Sequence, residues 1–207
     1  MKYTPLYAFG RFLSPLLKIF MPFHANNTEY MPKDGPVVVC CNHVSMKDPI
    51  LIALALRRQV FYMAKAELFE NKFVAMIIRA LGAFPVHRGQ GDSGAMDTSR
   101  QILRDGKMLG IFIEGTRSKD GSLGKPKSGA VMLAHAANAP ILPMCITAKG
   151  EKPPRVFHRV VVSCGKPIQP EELGIESDSP MEFRKASRLV MERIQEMRNR
   201  DLEYFKK

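Results

Sequence analysis

The chain has 207 residues, of which 45% are hydrophobic, and a formal charge of +11 at pH 7. That length and apolar content suit a single domain with its own core and exclude wholesale disorder. The positive balance points to an anionic partner such as a lipid headgroup, a membrane surface or an acidic carrier protein. Nucleic acid is disfavoured, because neither an arginine-rich recognition helix nor basic and aromatic residues interleaved on strands are present.

Residues 1–23 are rich in bulky apolar side chains, among them Leu6, Phe9, Phe12, Ile19 and Phe20, but are interrupted by Arg11, Lys18, Pro5, Pro15 and Pro22. These interruptions argue against a spanning helix. Two readings remain: an interfacial helix with snorkelling cations, or a segment packed on the protein's own core. On the first, residues 1–27 form a membrane-associated segment and residues 28–207 the domain proper. The protein would then sit at the cytoplasmic face of the membrane, peripheral or monotopic, against the phospholipid surface.

The first expected strand is the β-branched run 37–41, which breaks into Asn42, His43, Val44, Ser45, Met46, Lys47 and Asp48 before a helix over 49–58. Further strands are expected at 60–64 (ending at Lys65), 83–86, 108–113 and 141–147, with a last strand or hairpin over 155–164. Helices are expected over 67–80, with Phe69, Phe73, Met76 and Ile77 on one stripe, and over 95–104 and 128–138. Ser179, Pro180 and Glu182 spell a capping box that opens a long terminal helix, whose apolar side carries Phe183, Ala186, Val190, Ile194 and Met197. Strands alternating with helices predict an α/β fold: a single domain with a central mostly parallel or mixed sheet flanked by helices, plus the amino-terminal interfacial helical segment.

Cys40, Cys41, Cys145 and Cys164 lie in apolar surroundings without metal-ligand spacing and read as buried thiols. No metal and no tightly bound cofactor is expected, and the glycine-rich motifs of nucleotide-binding enzymes are absent.

Two polar clusters follow strands, where the ligand sites of open α/β sheets form. In the first, His43 is a base with Asp48 five positions on. On a regular helix that spacing leaves the two about 140° apart, so they meet only if His43 lies in the turn before the helix. Ser45 can cap that helix with Asp48 at its third position, or Asp48 can cap it with Pro49 first. The alternative to chemistry is a local turn network of Asn42, His43, Ser45 and Asp48. His24, His87, His135 and His158 have no acid at a suggestive spacing.

The second cluster is Glu114, Gly115, Thr116, Arg117 and Ser118. Glu114 reads as a base or as an organiser of loop amides and of Arg117. Arg117 and Arg88 suit bidentate capture of a phosphate, or are solvated charges, and Lys65 has the same double reading. The charged loop 119–127 either clamps an anion or merely connects.

Asn42, His43, Ser45 and Asp48 resemble the histidine and aspartate motif of the glycerolipid acyltransferases, specifically the 1-acyl-glycerol-3-phosphate acyltransferases. Phe112, Ile113, Glu114, Gly115, Thr116, Arg117 and Ser118 resemble that family's third block. Gly82, Phe84, Pro85, Val86 and Arg88 resemble the block before it, with His87 as a departure, and Ile141, Leu142, Pro143 and Met144 resemble its fourth.

The resemblance implies transfer of a fatty acyl group from acyl-CoA or acyl carrier protein, as co-substrate, to the sn-2 hydroxyl of lysophosphatidic acid, giving phosphatidic acid. His43 would take the hydroxyl proton, Asp48 would orient it, and Arg117, Arg88 and Lys65 would hold the phosphate. Asn42, Ser45, Glu114, Gly115, Thr116 and Ser118 would support the site. The amides following His43 are the candidates for stabilising the carbonyl oxygen. The alternatives are another acceptor, such as glycerol-3-phosphate or a lysophospholipid, and a noncatalytic basic membrane-binding protein.

Overall fold

Every residue of the run 37–41 is buried, and its alternation explains why all five are apolar. Val37, Val39 and Cys41 enter one hydrophobic cluster, while Val38 and Cys40 enter the other. Such a strand has helices on both faces and sits inside a sheet. In the computed structural model, which describes residues 7, 14–87, 93–149 and 157–206, this strand is β2.

In chain order the elements are α1 (Ser14–Phe20), β1 (Phe23–Asn26), β2 (Val37–Cys41), α2 (Asp48–Ala55), β3 (Val60–Lys65), α3 (Lys72–Ala80), β4 (Ala83–Val86), α4 (Ser93–Arg104), β5 (Met108–Phe112), α5 (Gly129–Ala136), β6 (Ile141–Ala148), β7 (Val160–Cys164) and α6 (Pro180–Tyr204). The strands form one seven-stranded sheet in the order β1-β7-β6-β2-β5-β3-β4. All pairs are parallel except β6 with β7, so the sheet is mixed, as expected. The parallel strands β2, β3, β4 and β5 therefore end at one edge, and the polar clusters after β2 and β5 are brought side by side.

Leu51 and Ile52 of α2 pack on one face of the sheet. On the other face lie Ile102 and Leu103 of α4, Val131 and Leu133 of α5, and Phe183, Ala186, Val190, Ile194 and Met197 of α6. The terminal helix begins as its sequence predicts: the Ser179 hydroxyl accepts the Glu182 amide at 3.2 Å, and the Glu182 carboxylate accepts the Ser179 amide at 3.4 Å. All four cysteines are free and buried; burial pushes the Cys40, Cys145 and Cys164 thiols up to about 12.

Two elements differ from expectation. Phe23–Asn26, inside the amino-terminal stretch read as separate from the domain, pairs in parallel with β7 as an edge strand; four residues are too few to show a period. The expected helix 67–80 is split into a 3-10 turn, Ala66–Phe69, and α3. Asn71 has an extended backbone, and its side-chain oxygen accepts the Phe73 and Val74 amides at 3.0 and 3.1 Å, so the helix starts afresh.

At the opposite edge from the polar clusters, Arg58 is buried and its guanidinium donates to the carbonyls of Pro32, Asp34, Gly35 and Gly106. It ties the connector before β2 to the turn before β5.

Candidate active site

His43 lies in the loop between β2 and α2, and Asp48 is the first residue of α2. The loop lets them meet: His43 Nδ1 is 2.7 Å from Asp48 Oδ2. Asp48 is fully buried, whereas the imidazole keeps 13% of its surface open. The same Oδ2 accepts the Val44 amide at 2.7 Å and the Ser45 amide at 2.8 Å. Neither expected capping scheme holds. Lys47 occupies the N-cap position without a side-chain bond, Pro49 is second in the helix, and the Asp48 carboxylate turns back to gather the loop. Ser45 instead accepts the Lys47 amide through its hydroxyl at 3.2 Å.

Those contacts correct one expectation: the amides following His43 are spent on Asp48 and are not free for a carbonyl oxygen. They also fix the histidine tautomer. An acceptor holding two N–H groups takes a third from Nδ1–H, which leaves Nε2 as the proton acceptor. The imidazole stacks on Phe112, with ring centroids 3.9 Å apart and planes 13° apart, and Phe112 is backed by Tyr62 at 6.0 Å. Tyr62 is paired in register with Gly110, where an added Cβ would lie 2.2 Å from the tyrosine ring. A glycine is needed there for the stack to form.

Asn42 takes no part in the open site. It is fully buried, donating to the Ile146 carbonyl at 3.0 Å and accepting the Ile146 amide at 2.8 Å, and so extends the pairing of β2 with β6 by one side chain. The cluster after β5 joins the first through backbone. Glu114 is buried, accepts the His43 amide at 3.0 Å through Oε1, and accepts the Gly124 amide at 2.7 Å through Oε2. It is thus an organiser of loop amides. Gly115 makes the turn at φ 72°, and the Ser118 amide donates to the His43 carbonyl at 2.8 Å. Thr116 is exposed.

A cavity of about 540 Å³ opens beside the imidazole. Its walls are mostly apolar, from Met46, Ile50, Leu54, Met63, Leu68 and Ile78, and it also takes in His43, Arg117 and Lys65. Arg117 is exposed and makes no hydrogen bond or ion pair among the described residues. Lys65, at the end of β3, pairs with Glu67 at 2.8 Å on the surface. Arg88 lies outside the described residues, as does most of the segment before Ser14. Tyr7, from that segment, is buried against α2 and lines the cavity; its hydroxyl donates to the Ala53 and Arg58 carbonyls at 3.4 and 3.3 Å.

Sequence reasoning missed Tyr62, Gly124 and Arg198. Arg198, on α6, donates to the Gly121 carbonyl in the loop 119–127 at 3.1 Å. No local spacing announces such a partner, because it sits 77 residues away. Among the described residues no group of three or more His, Cys, Asp or Glu could hold a metal ion, and no helix is long and apolar enough to cross a membrane.

A buried carboxylate, an imidazole open on one side and an apolar cavity that Arg117 and Lys65 also line bring together groups able to take up a proton and to hold an anion. Residues 23–147 match the family model described as Acyltransferase, and the chain belongs to that family of acyl-transferring enzymes. It is similar to the 1-acyl-sn-glycerol-3-phosphate acyltransferase of Bacillus subtilis (strain 168), 34% identical over 139 residues, covering 64% of this chain and 68% of the relative. The Streptococcus pneumoniae (strain ATCC BAA-255 / R6) protein of the same name is 28% identical over 163 residues, covering 77% and 60%. The chain thus spans about half to two thirds of the length of such curated relatives. The crystal structure of the 1-acyl-sn-glycerophosphate acyltransferase from Thermotoga maritima superposes with a TM-score of 0.70 at 26% identity, covering 93% of this chain and 78% of that one.

Proposed function

We propose that the protein transfers a fatty acyl group from an acyl thioester to the sn-2 hydroxyl of 1-acyl-sn-glycerol-3-phosphate, giving phosphatidic acid. The observation that carries this reading is the His43–Asp48 pair set at the wall of an apolar cavity that Arg117 and Lys65 also line.

His43 Nε2 accepts the proton of the acceptor hydroxyl, while Asp48 holds Nδ1–H and supports the imidazolium as it forms. The hydroxyl oxygen attacks the thioester carbonyl directly. The tetrahedral intermediate then collapses with loss of the thiolate, which takes the proton back from His43. An ester and a free thiol carrier result, and no acyl-enzyme is formed. Arg117 and Lys65 grip the phosphate of the acceptor, and Arg88 is assigned to the same grip on its motif. The apolar walls take an acyl chain. The enzyme works at a membrane surface, where both the acceptor and the product reside.

The test is a panel of acceptors with one labelled acyl thioester. Lysophosphatidic acid should be acylated well, and its dephosphorylated analogue poorly, with that preference lost in Arg117→Ala. Equal use of both analogues by the native protein would remove the phosphate grip from the account. Preference for glycerol-3-phosphate would reassign the acceptor, and no transfer to any of them would leave a basic membrane-binding protein.

A further inference from the structure

The stripe Phe73, Met76 and Ile77 belongs, by its spacing, on a buried helix face, yet α3 turns it outward. Phe73 is 68% exposed and Met76 56%, and Val74 and Ile77 are also exposed, while Ala75 is the buried residue of the helix. A helix with this order of burial lacks a partner for its apolar face within the described residues. The face is contiguous with the site. Ile78 of α3 lines the cavity, as do the exposed Leu68 from the preceding turn and Met46, 63% exposed, from the His43 loop.

Charge indicates what covers it. Lys72 and Arg79, on α3 itself, are exposed, with Arg79 over the Phe69 ring at 5.3 Å. The acidic groups nearby are Glu67, already paired with Lys65, and Glu70. An apolar stripe with basic flanks, on a chain of +11, complements an anionic lipid surface. A second copy of this chain would bring the same cations against one another.

We propose that the outward face of α3, continued by Leu68 and Met46, is the surface on which the protein docks to an anionic lipid bilayer. The proposal rests on the acyl-transfer reading of the cavity. Phe73, Met76 and Ile77 enter the acyl boundary while Lys72 and Arg79 stay at the headgroups. The mouth of the cavity is then held against the membrane, so a lysolipid moves from bilayer to His43 with its chain leaving one apolar environment for another.

The experiment compares the full chain with Phe73→Glu/Met76→Glu and, separately, Ile19→Glu/Phe20→Glu, two exposed apolar residues of α1. Co-sedimentation uses vesicles of phosphatidylcholine with and without phosphatidylglycerol. The α3 variant is expected to bind the anionic vesicles at least about tenfold more weakly. It should still acylate a short-chain lysophosphatidic acid, kept below its micelle concentration, at the native rate. Unchanged vesicle binding by the α3 variant overturns the proposal. If that variant also turns a native dimer into a monomer, the face is an interface between copies; if only the α1 variant loses binding, docking belongs to α1. Failure of the native protein to acylate the soluble acceptor sinks the acyl-transfer reading instead, a result separate from the vesicle measurement.

Discussion

The Glu114 carboxylate bridges the His43 and Gly124 amides, so a single side chain joins two polar clusters 71 residues apart. Both of its oxygens are acceptors, and both face N–H groups. Glu114→Gln keeps one acceptor and sets an NH2 group against the other amide, so one of the two part-buried N–H groups loses its acceptor, at about 1 kcal/mol. Urea unfolding should register that loss, and turnover should fall because the loop carrying His43 is no longer held. A variant equal to the native protein in both would show that the bridge is incidental.

Arg198 reaches the same loop from outside the stretch matched by the family model, which ends at residue 147. The Gly121 carbonyl is its acceptor, the Gly121 amide donates to the Ser118 hydroxyl at 2.9 Å, and the Ser118 amide holds the His43 carbonyl. Arg198→Met should raise the acceptor's KM more than the donor's, with Arg198→Lys restoring part of the difference. Equal shifts in both constants would mark Arg198 as a general support of the fold.

Arg58 gives the complementary case. Its guanidinium donates to four backbone carbonyls at the edge away from the cavity. Arg58→Leu leaves those acceptors unpaired and should cost about 2–4 kcal/mol of stability by denaturant titration. The rate per folded molecule should stay native; a selective loss of turnover would contradict this separation of roles.

Asp201 supplies a pH dependence. It is buried on α6, where it accepts the Ser163 hydroxyl at 2.7 Å and the Thr147 hydroxyl at 3.2 Å, and desolvation raises its carboxyl above the ordinary 3.8. The folded protein then keeps a proton that the unfolded chain has released. The resulting stability is complete below the ordinary value and is lost as pH rises through the folded one. Asp201→Asn lacks that titration. The stability of the native protein relative to this variant should therefore decline in thermal melts as pH rises above about 4. A gap that widened with pH would reverse the sign assigned to Asp201.

Much of this was legible in the sequence, for local reasons. The run 37–41 announces a strand buried on both faces, and Ser179, Pro180 and Glu182 fix the start of α6 through contacts within four residues. The His43–Asp48 pair was legible as a possibility, and the loop geometry that realises it depends on the Val44 and Ser45 amides converging on one oxygen. What stayed hidden was set by tertiary partners. The outward turn of Phe73 and Met76 follows from where α3 packs, because spacing alone gives a stripe and not its direction. The tie from Arg198 to the loop 119–127 spans a distance in sequence that no pattern encodes.

The most direct measurement is single-turnover acyl transfer to lysophosphatidic acid by His43→Ala, alongside its unfolding curve. His43 touches Phe112 and Asp48 but carries no part of the core, so the fold should survive. The rate should fall by at least about a thousandfold, in line with the loss of a general base. Transfer at the native rate by a folded His43→Ala protein would contradict the assignment of proton abstraction to this imidazole.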